Sequence, residues 1–231
     1  MAVALAGNRL LERLPLQDRT RLGARLTRVT LGQGTLAEPA TRLGHAYFPL
    51  RGLISIMAPL EDGRAIEVAT IGPEGMAGVG VVLGASRVRH GMVSQIAGES
   101  LVVTAVALTD ELDRSAALRS LLELYSVVYM AQLAQTAACN AAHVMRQRLV
   151  HLLLLCHDAA LADTFATTQE FLAGMLGVQR PGVSLIAEAL RREGTIAYKR
   201  GTVRVLDRQA LESASCECYA AGRAEYDRIL G

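Results

Sequence analysis

The stretch Thr167-Thr168-Gln169-Glu170-Phe171-Leu172-Ala173-Gly174-Met175-Leu176-Gly177-Val178-Gln179-Arg180-Pro181-Gly182-Val183-Ser184-Leu185-Ile186-Ala187-Glu188-Ala189-Leu190 decides how the C-terminal part of the chain folds. Thr167 or Thr168 supplies a helix N-cap, and with Thr167 in that place Glu170 completes a capping box. Phe171, Leu172, Met175 and Leu176 recur at helical spacing and make one apolar face. Gly177 stands where that helix must stop and a left-handed residue is needed. A second helix starts near Gln179 with Pro181 in its first turn, where a missing N–H costs nothing. Val183, Ile186, Ala187 and Leu190 are its inward stripe. Two short helices joined across a glycine turn form a helix-turn-helix.

The outward face of the second helix carries Gln179, Arg180, Ser184 and Glu188, with Arg191 and Arg192 at its end. Arg suits guanine O6 and N7, Gln suits adenine, and Ser and Arg also serve phosphates. Residues 194–206 then read as two strands flanking Arg200-Gly201, a hairpin wing with Lys199, Arg200 and Arg204 near its tip. Residues 180–204 hold six basic and two acidic side chains, a local charge of +4 in a chain whose total is +2. Lys199 is the chain's only lysine. Such a patch on a balanced chain is an electrostatic footprint for DNA. The candidate DNA contacts are Thr168, Gln179, Arg180, Ser184, Lys199, Arg200 and Arg204.

Working toward the N-terminus, no Gly or Pro occurs from Thr109 to Phe171, so this region is one long helix or two in series. Thr109-Asp110 reads as its N-cap. Leu118, Leu122, Tyr125, Tyr129, Gln132, Thr136 and Cys139 recur at alternating spacings of four and three, a heptad seam suited to pairing with a second copy. A flanking stripe runs through Leu121, Leu124, Val128, Ala131, Gln135 and Ala138. An amphipathic helix follows near Ala141, with Val144, Leu149, Leu152 and Leu153 apolar. Before the helices, residues 27–106 are rich in Gly and β-branched residues. Glu61-Asp62-Gly63-Arg64 separates two apolar runs, which is a hairpin signal. Many short strands so punctuated suggest an antiparallel barrel or roll. Residues 8–26 read as short helices.

The chain has 231 residues, 51% apolar and 20% charged, enough to bury a real core in one large or two small domains. Cys139, Cys156, Cys216 and Cys218 lack zinc-finger spacing and read as reduced thiols in a cytoplasm. Cys216-Glu217-Cys218 has no nearby His in sequence and reads as inert, and no metal is expected. His143, His151 and His157 are spaced by eight and six, so no i, i+4 histidine pair arises. The N-terminal residues show no signal-peptide pattern, and no apolar run is long enough for a membrane span. Walker, G-x-S-x-G and H-E-x-x-H motifs are missing, and so are the clustered histidines of a cupin enzyme.

Taken in order, a glycine-rich roll, a heptad helix and a winged helix-turn-helix resemble the Crp/Fnr family of bacterial transcription regulators. Leu176-Gly177, Gln179-Arg180, Val183 and Glu193-Gly194-Thr195-Ile196 carry the resemblance most specifically. It implies an α+β fold: an N-terminal double-stranded β-helix, the jelly roll of cyclic-nucleotide-binding domains (residues 1–108), a dimerisation helix (109–140) and a C-terminal winged helix-turn-helix (141–231). It further implies a homodimer with Leu118, Leu122, Tyr125, Tyr129 and Gln132 at its interface, a palindromic double-stranded operator, and RNA polymerase as a partner. In the family's well-known activators the recognition helix offers Arg, Glu and a second Arg. Here Arg180 matches the first, Pro181 replaces the Glu and Leu185 the second Arg.

The sensory half departs further. Cyclic-nucleotide binders in the family place a Glu on the ribose hydroxyl and an Arg on the phosphate. The corresponding stretch, residues 78–89, has Val79 at the Glu position, and Arg87 or Arg89 is either a phosphate partner or a surface arginine. Val79, Val81, Leu83, Arg87 and Arg89 would line a degenerate effector pocket, and cyclic AMP is not the expected effector. A shifted alignment would put Glu74 or Glu99 in the carboxylate role. Iron–sulfur members need N-terminal cysteines, and the first here is Cys139; His45 and His90 read as structural rather than haem ligands. The alternative is a small-molecule-binding protein or cupin-like enzyme with a vestigial helix-turn-helix.

Overall fold

Five antiparallel strands form the N-terminal roll: β1 (Thr27–Leu31), β2 (Gly34–Ala37), β3 (His45–Pro59), β4 (Ala65–Ile71) and β5 (Gly91–Thr104). These come from a computed structural model that describes residues 5–231; the part of the N-terminal reading that rests on residues 1–4 lies outside the described residues. The path is β1-β5-β3-β4, with β2 on the other half of β5. β3 and β5 pair from His45↔Thr104 to Met57↔Gly91, with register shifts between Pro49 and Ile54. Those bulges bend the long pair so that the sheet rolls over on itself. The bend needs glycine. Gly52 has φ +86, and a Cβ on Gly98 would lie 2.1 Å from the Arg51 carbonyl oxygen. The β3–β4 hairpin turns at residues 61–64 as the sequence indicates, closed by Leu60 N–H to Arg64 O at 2.8 Å.

Phe48, Ile54, Ile56 and Leu101 fill the roll, with Leu10, Leu11 and Leu22 from a 3-10 turn (Leu11–Arg13) and α1 (Leu16–Gly23) closing one end. A short α2 (Val79–Val82) tucks Val79 and Val81 into the same core.

The helical region begins earlier than Thr109. β5 runs directly into α3 (Ala105–Arg114), capped by the Thr104 hydroxyl, which accepts from Ala107 N–H. Thr109 lies inside α3, its hydroxyl donating back to Ala105 O. Ser115 breaks the helix with an extended backbone and caps α4 (Ala116–Ala142). The heptad seam read on α4 faces the chain's own roll. Leu118 and Leu122 are fully buried, Tyr125 donates its hydroxyl to Met76 O at 3.2 Å, and Gln132 donates to Thr70 O at 2.8 Å. Tyr129 is half-buried against the same core. The bulkier stripe went to the intramolecular core, where it buries the most apolar area. The opposite stripe, Ala117, Ser120, Leu124, Val127, Ala131, Ala134, Ala138 and Ala141, is exposed at every position except Ala131.

The C-terminal domain follows: α5 (Met145–Ala160), β6 (Thr164–Ala166), α6 (Gln169–Leu176), α7 (Arg180–Arg192), β7 (Ile196–Lys199), β8 (Thr202–Val205), α8 (Arg208–Ala214) and α9 (Cys218–Leu230). Its sheet has the order β6-β8-β7. α9 returns along α4 to the roll, where Tyr226 donates to Glu74 O at 2.8 Å.

The two domains share a core, because Leu53 and Ile96 of the roll pack with α5 and α6 residues. Beside them Ser55 joins the Glu67 carboxyl at 2.5 Å and Gln95 Oε1 at 2.6 Å, and Gln95 donates to Cys156 Sγ. Ser55 has one proton to give. If it goes to Gln95, the Glu67 contact is completed by a proton on Glu67. Burial without a cationic partner pushes this carboxyl up to about 8. A raised acid binds its proton more tightly folded than unfolded. Its stabilisation is therefore full below the ordinary value of 4.5 and is lost as pH rises to about 8. Glu67→Gln should flatten that decline and raise the melting temperature at pH 8–9 by at least a few degrees, read by thermal melts across pH. A wild-type melting temperature independent of pH over that window would contradict the assignment.

Candidate nucleic-acid interface

Thr168, not Thr167, caps α6: its hydroxyl accepts from Phe171 N–H at 3.1 Å. Thr167 is buried, and its N–H donates instead to Gly201 O in the wing. The helix ends at Gly177, φ +65, with Val178 N–H to Ala173 O and Gly177 N–H to Gly174 O. That is a Schellman closure. Gly177 also abuts Ile66 of β4, so this turn rests on the roll. Gln179 is the N-cap residue of α7, with Arg180 and Pro181 in its first turn. Val183, Ala187 and Leu190 are buried beneath α7.

The wing turns through Arg200 (φ +49) and Gly201 (φ +75), the two left-handed residues of a type I′ hairpin. β8 alternates so that Val203 and Val205 go inward and Arg204 outward. Tyr198 donates to Thr167 O at 3.1 Å and ties the wing to the start of α6. Between them lies a depression of about 430 Å³, whose wall includes Thr168, Gln169, Glu170, Arg180 and Arg200. Gln179, Arg180, Lys199, Arg200 and Arg204 are all exposed, and among the described residues none of the four cations is in an ion pair.

Two outward residues are not free. Ser184 is half-buried and donates to Gln169 Oε1 at 2.6 Å, which fastens α6 to α7 rather than offering a hydroxyl outward. Glu188 is held by Arg191 through two bonds of 2.8 Å. Leu185, by contrast, is 74% exposed on the same face. A large apolar side chain in that setting suits a thymine methyl. Exposure alone is invisible in the sequence, where Leu185 reads only as a missing arginine.

The residues read as an effector pocket at 79–89 divide between core and surface. Val79 and Val81 are core residues, Leu83 is exposed, and Arg87 and Arg89 are exposed on the following loop. Glu74 accepts from Gly72 N–H and stands on the wall of a cavity elsewhere in the molecule, while Glu99 is paired with Arg28 and Arg51. The large cavity, about 810 Å³, lies instead among β4, α4, α5 and α9, with Glu67, Thr70, Tyr129, Gln132, Leu155 and Arg223 on its wall.

The cysteines also differ from their sequence reading. Cys139, Cys216 and Cys218 are buried together, and His143, remote from the last two in sequence, joins them in space. A Cys-x₃-His pair at the end of α4 facing a Cys-x-Cys pair was the signal present; a search for histidine pairs alone passes over it.

The family model of the Crp-like helix-turn-helix domain matches residues 147–214. No curated protein matches the chain. Among solved structures, FixK2 from Bradyrhizobium japonicum is similar at 15% identity and TM-score 0.69, covering 83% of this chain and 98% of its own. The c-di-GMP responsive global regulator CLP of Xanthomonas campestris is similar at 16% identity and TM-score 0.64, covering 83% and 99%. A CRP-family transcriptional regulator from Thermus thermophilus shows 22% identity and TM-score 0.65, covering 82% and 96%. At these identities the likeness speaks for the fold, and the domain model for the C-terminal unit. Residues 147–214 match the Crp-like helix-turn-helix domain, and the chain as a whole shares the fold of these solved structures.

Proposed function

We propose that the chain is a sequence-specific DNA-binding transcription regulator that works as a homodimer on a palindromic operator, and that it is not an enzyme. The observation that carries the reading is a set of exposed cations with no ion pair among the described residues: Arg180 on α7, which shares a depression with Arg200 of the wing, and Lys199 and Arg204 on the wing strands. α7 presents Gln179, Arg180 and Leu185 to a major groove, while the wing cations and the Thr168 depression meet the flanking phosphates. The dimer forms through the exposed α4 stripe, on which Leu124 and Val127 are 47% and 44% exposed. A cytoplasmic location and contact with RNA polymerase belong to the same reading. No helix of the described residues is long and apolar enough to cross a membrane. The rival, a small-molecule-binding or cupin-like protein with a vestigial helix-turn-helix, gives those unpaired cations no task.

The test is selection of bound duplexes from a random pool, followed by titration of the selected duplex and a scrambled one across salt. Tight, salt-dependent preference for a palindrome is expected. Arg200→Ala should weaken both duplexes alike and reduce the salt slope by about one unit. Absence of any selected sequence would sink the proposal.

A further inference from the structure

We infer that Cys139, His143, Cys216 and Cys218 form a tetrahedral metal site of zinc type that clamps the joint between the long helix and the DNA-binding domain. The four side chains offer three sulfurs and one imidazole nitrogen, and all four ligand atoms lie within 4.8 Å of one another. Cys139 Sγ and Cys216 Sγ are 3.6 Å apart, and Cys218 Sγ and His143 Nδ1 are 3.6 Å apart. A tetrahedral centre with Zn–S near 2.3 Å and Zn–N near 2.0–2.1 Å requires S···S edges of about 3.8 Å and S···N edges of about 3.5 Å. The apposed pairs therefore already stand at coordination distance.

The surroundings fit the same chemistry. With Nδ1 turned to Cys218, the other ring nitrogen of His143 meets the Glu217 carboxylate at 3.1 Å. Such a carboxylate partner fixes the tautomer of a metal-bound histidine. Gln135 donates its amide N–H to Cys218 Sγ at 3.0 Å, as a thiolate accepts. The three cysteines are almost fully buried, while the His143 side chain keeps 14% of its surface exposed as the way in. His151 reaches only the Cys139 and Cys216 edge, at 3.9 and 4.0 Å.

Two segments remote in sequence supply the ligands. Cys139 is in the last turn of α4, His143 is its C-cap and the joint to α5, and Cys216 and Cys218 bracket the corner between α8 and α9. Binding M²⁺ releases up to three thiol protons to solvent and forms three M–S bonds and one M–N bond with no change of oxidation state. It holds the joint and the start of α9 against α4.

Zinc and cobalt(II) are the probes, added to the full chain reduced with a phosphine. One metal per chain is expected, retained against a weak chelator. Cobalt should give the visible bands of a tetrahedral centre and near-ultraviolet thiolate charge transfer. The Cys216→Ser/Cys218→Ser double variant, with its fold checked by circular dichroism, should bind about a hundredfold more weakly and lose the charge-transfer band. His143→Ala should keep the band but shift the visible spectrum. The wild-type titration decides on its own if a variant does not fold. Failure of the wild type to bind either metal at micromolar concentration, or equal binding by the double variant, overturns the site. So does a Cys139–Cys216 disulfide that forms equally fast with and without zinc. These readouts do not depend on DNA binding.

Discussion

A chain with Asp at both Leu124 and Val127 is expected to sediment as a monomer at micromolar concentration and to bind a two-half-site duplex at least about a hundredfold more weakly. Leu124, Val127 and Met130 are 47%, 44% and 55% exposed, a cluster of large apolar side chains that a lone chain leaves in water. They lie on or beside a stripe of alternating three and four spacing with Ser120, Ala131, Ala134 and Ala138, and its small residues permit close helix approach. Two carboxylates on each subunit would place four unpaired charges in that seam, each costly to bury. Loss of pairing turns the second half-site contact from an intramolecular into a bimolecular event, and linkage of that kind contributes on the order of 10²–10⁴ in affinity. Leu122→Ala is the contrast. Leu122 is fully buried against the roll, so its truncation should cost about 2–5 kcal/mol of folding stability and leave assembly intact. An unchanged dimer in the double Asp variant would place the interface elsewhere.

That contrast shows what periodicity can and cannot say. The sequence pattern picks out the Leu118–Cys139 seam and a flanking stripe through Leu121, Leu124 and Val128, but not the exposed stripe through Ser120, Leu124 and Val127, and Val128 is buried. Only the roll's surface decides which stripe meets it, through Met76 O and Thr70 O, which receive Tyr125 and Gln132. The helix-turn-helix was legible almost residue by residue, because its signals are local: a threonine cap, Gly177 at positive φ, Pro181 in a first turn and Gly201 in a hairpin. The choice of Thr168 over Thr167 as cap was not, since it follows from Thr167 pairing with the wing across 34 positions of sequence. The splitting of residues 79–89 between core and surface and the gathering of the cysteines are illegible for the same reason. Both depend on which distant segments meet, and Cys139 and Cys216 are 77 positions apart.

Arg180→Ala is expected to cost about 1–3 kcal/mol in binding to the selected operator, roughly ten- to a hundredfold, and to relax preference at one base pair in each half-site. Arg180 sits in the first turn of α7 with an exposed, unpaired guanidinium, where a recognition helix meets base edges. Its neighbours cannot substitute: Ser184 is bonded to Gln169, and Arg191 is engaged by Glu188. Leu185 supplies the complementary prediction. At 74% exposure it contributes little to folding, so Leu185→Arg should leave the melting temperature unchanged. It should shift preference at its own base pair from thymine toward guanine, because a methyl contact is exchanged for a bidentate donor. A competition series over all single-base variants of one half-site reads both effects at once. Each substitution must alter a different column of that series. If Arg180→Ala instead lowers every variant equally and reduces the salt slope by about one unit, Arg180 holds a phosphate, and base reading rests on Gln179 and Leu185.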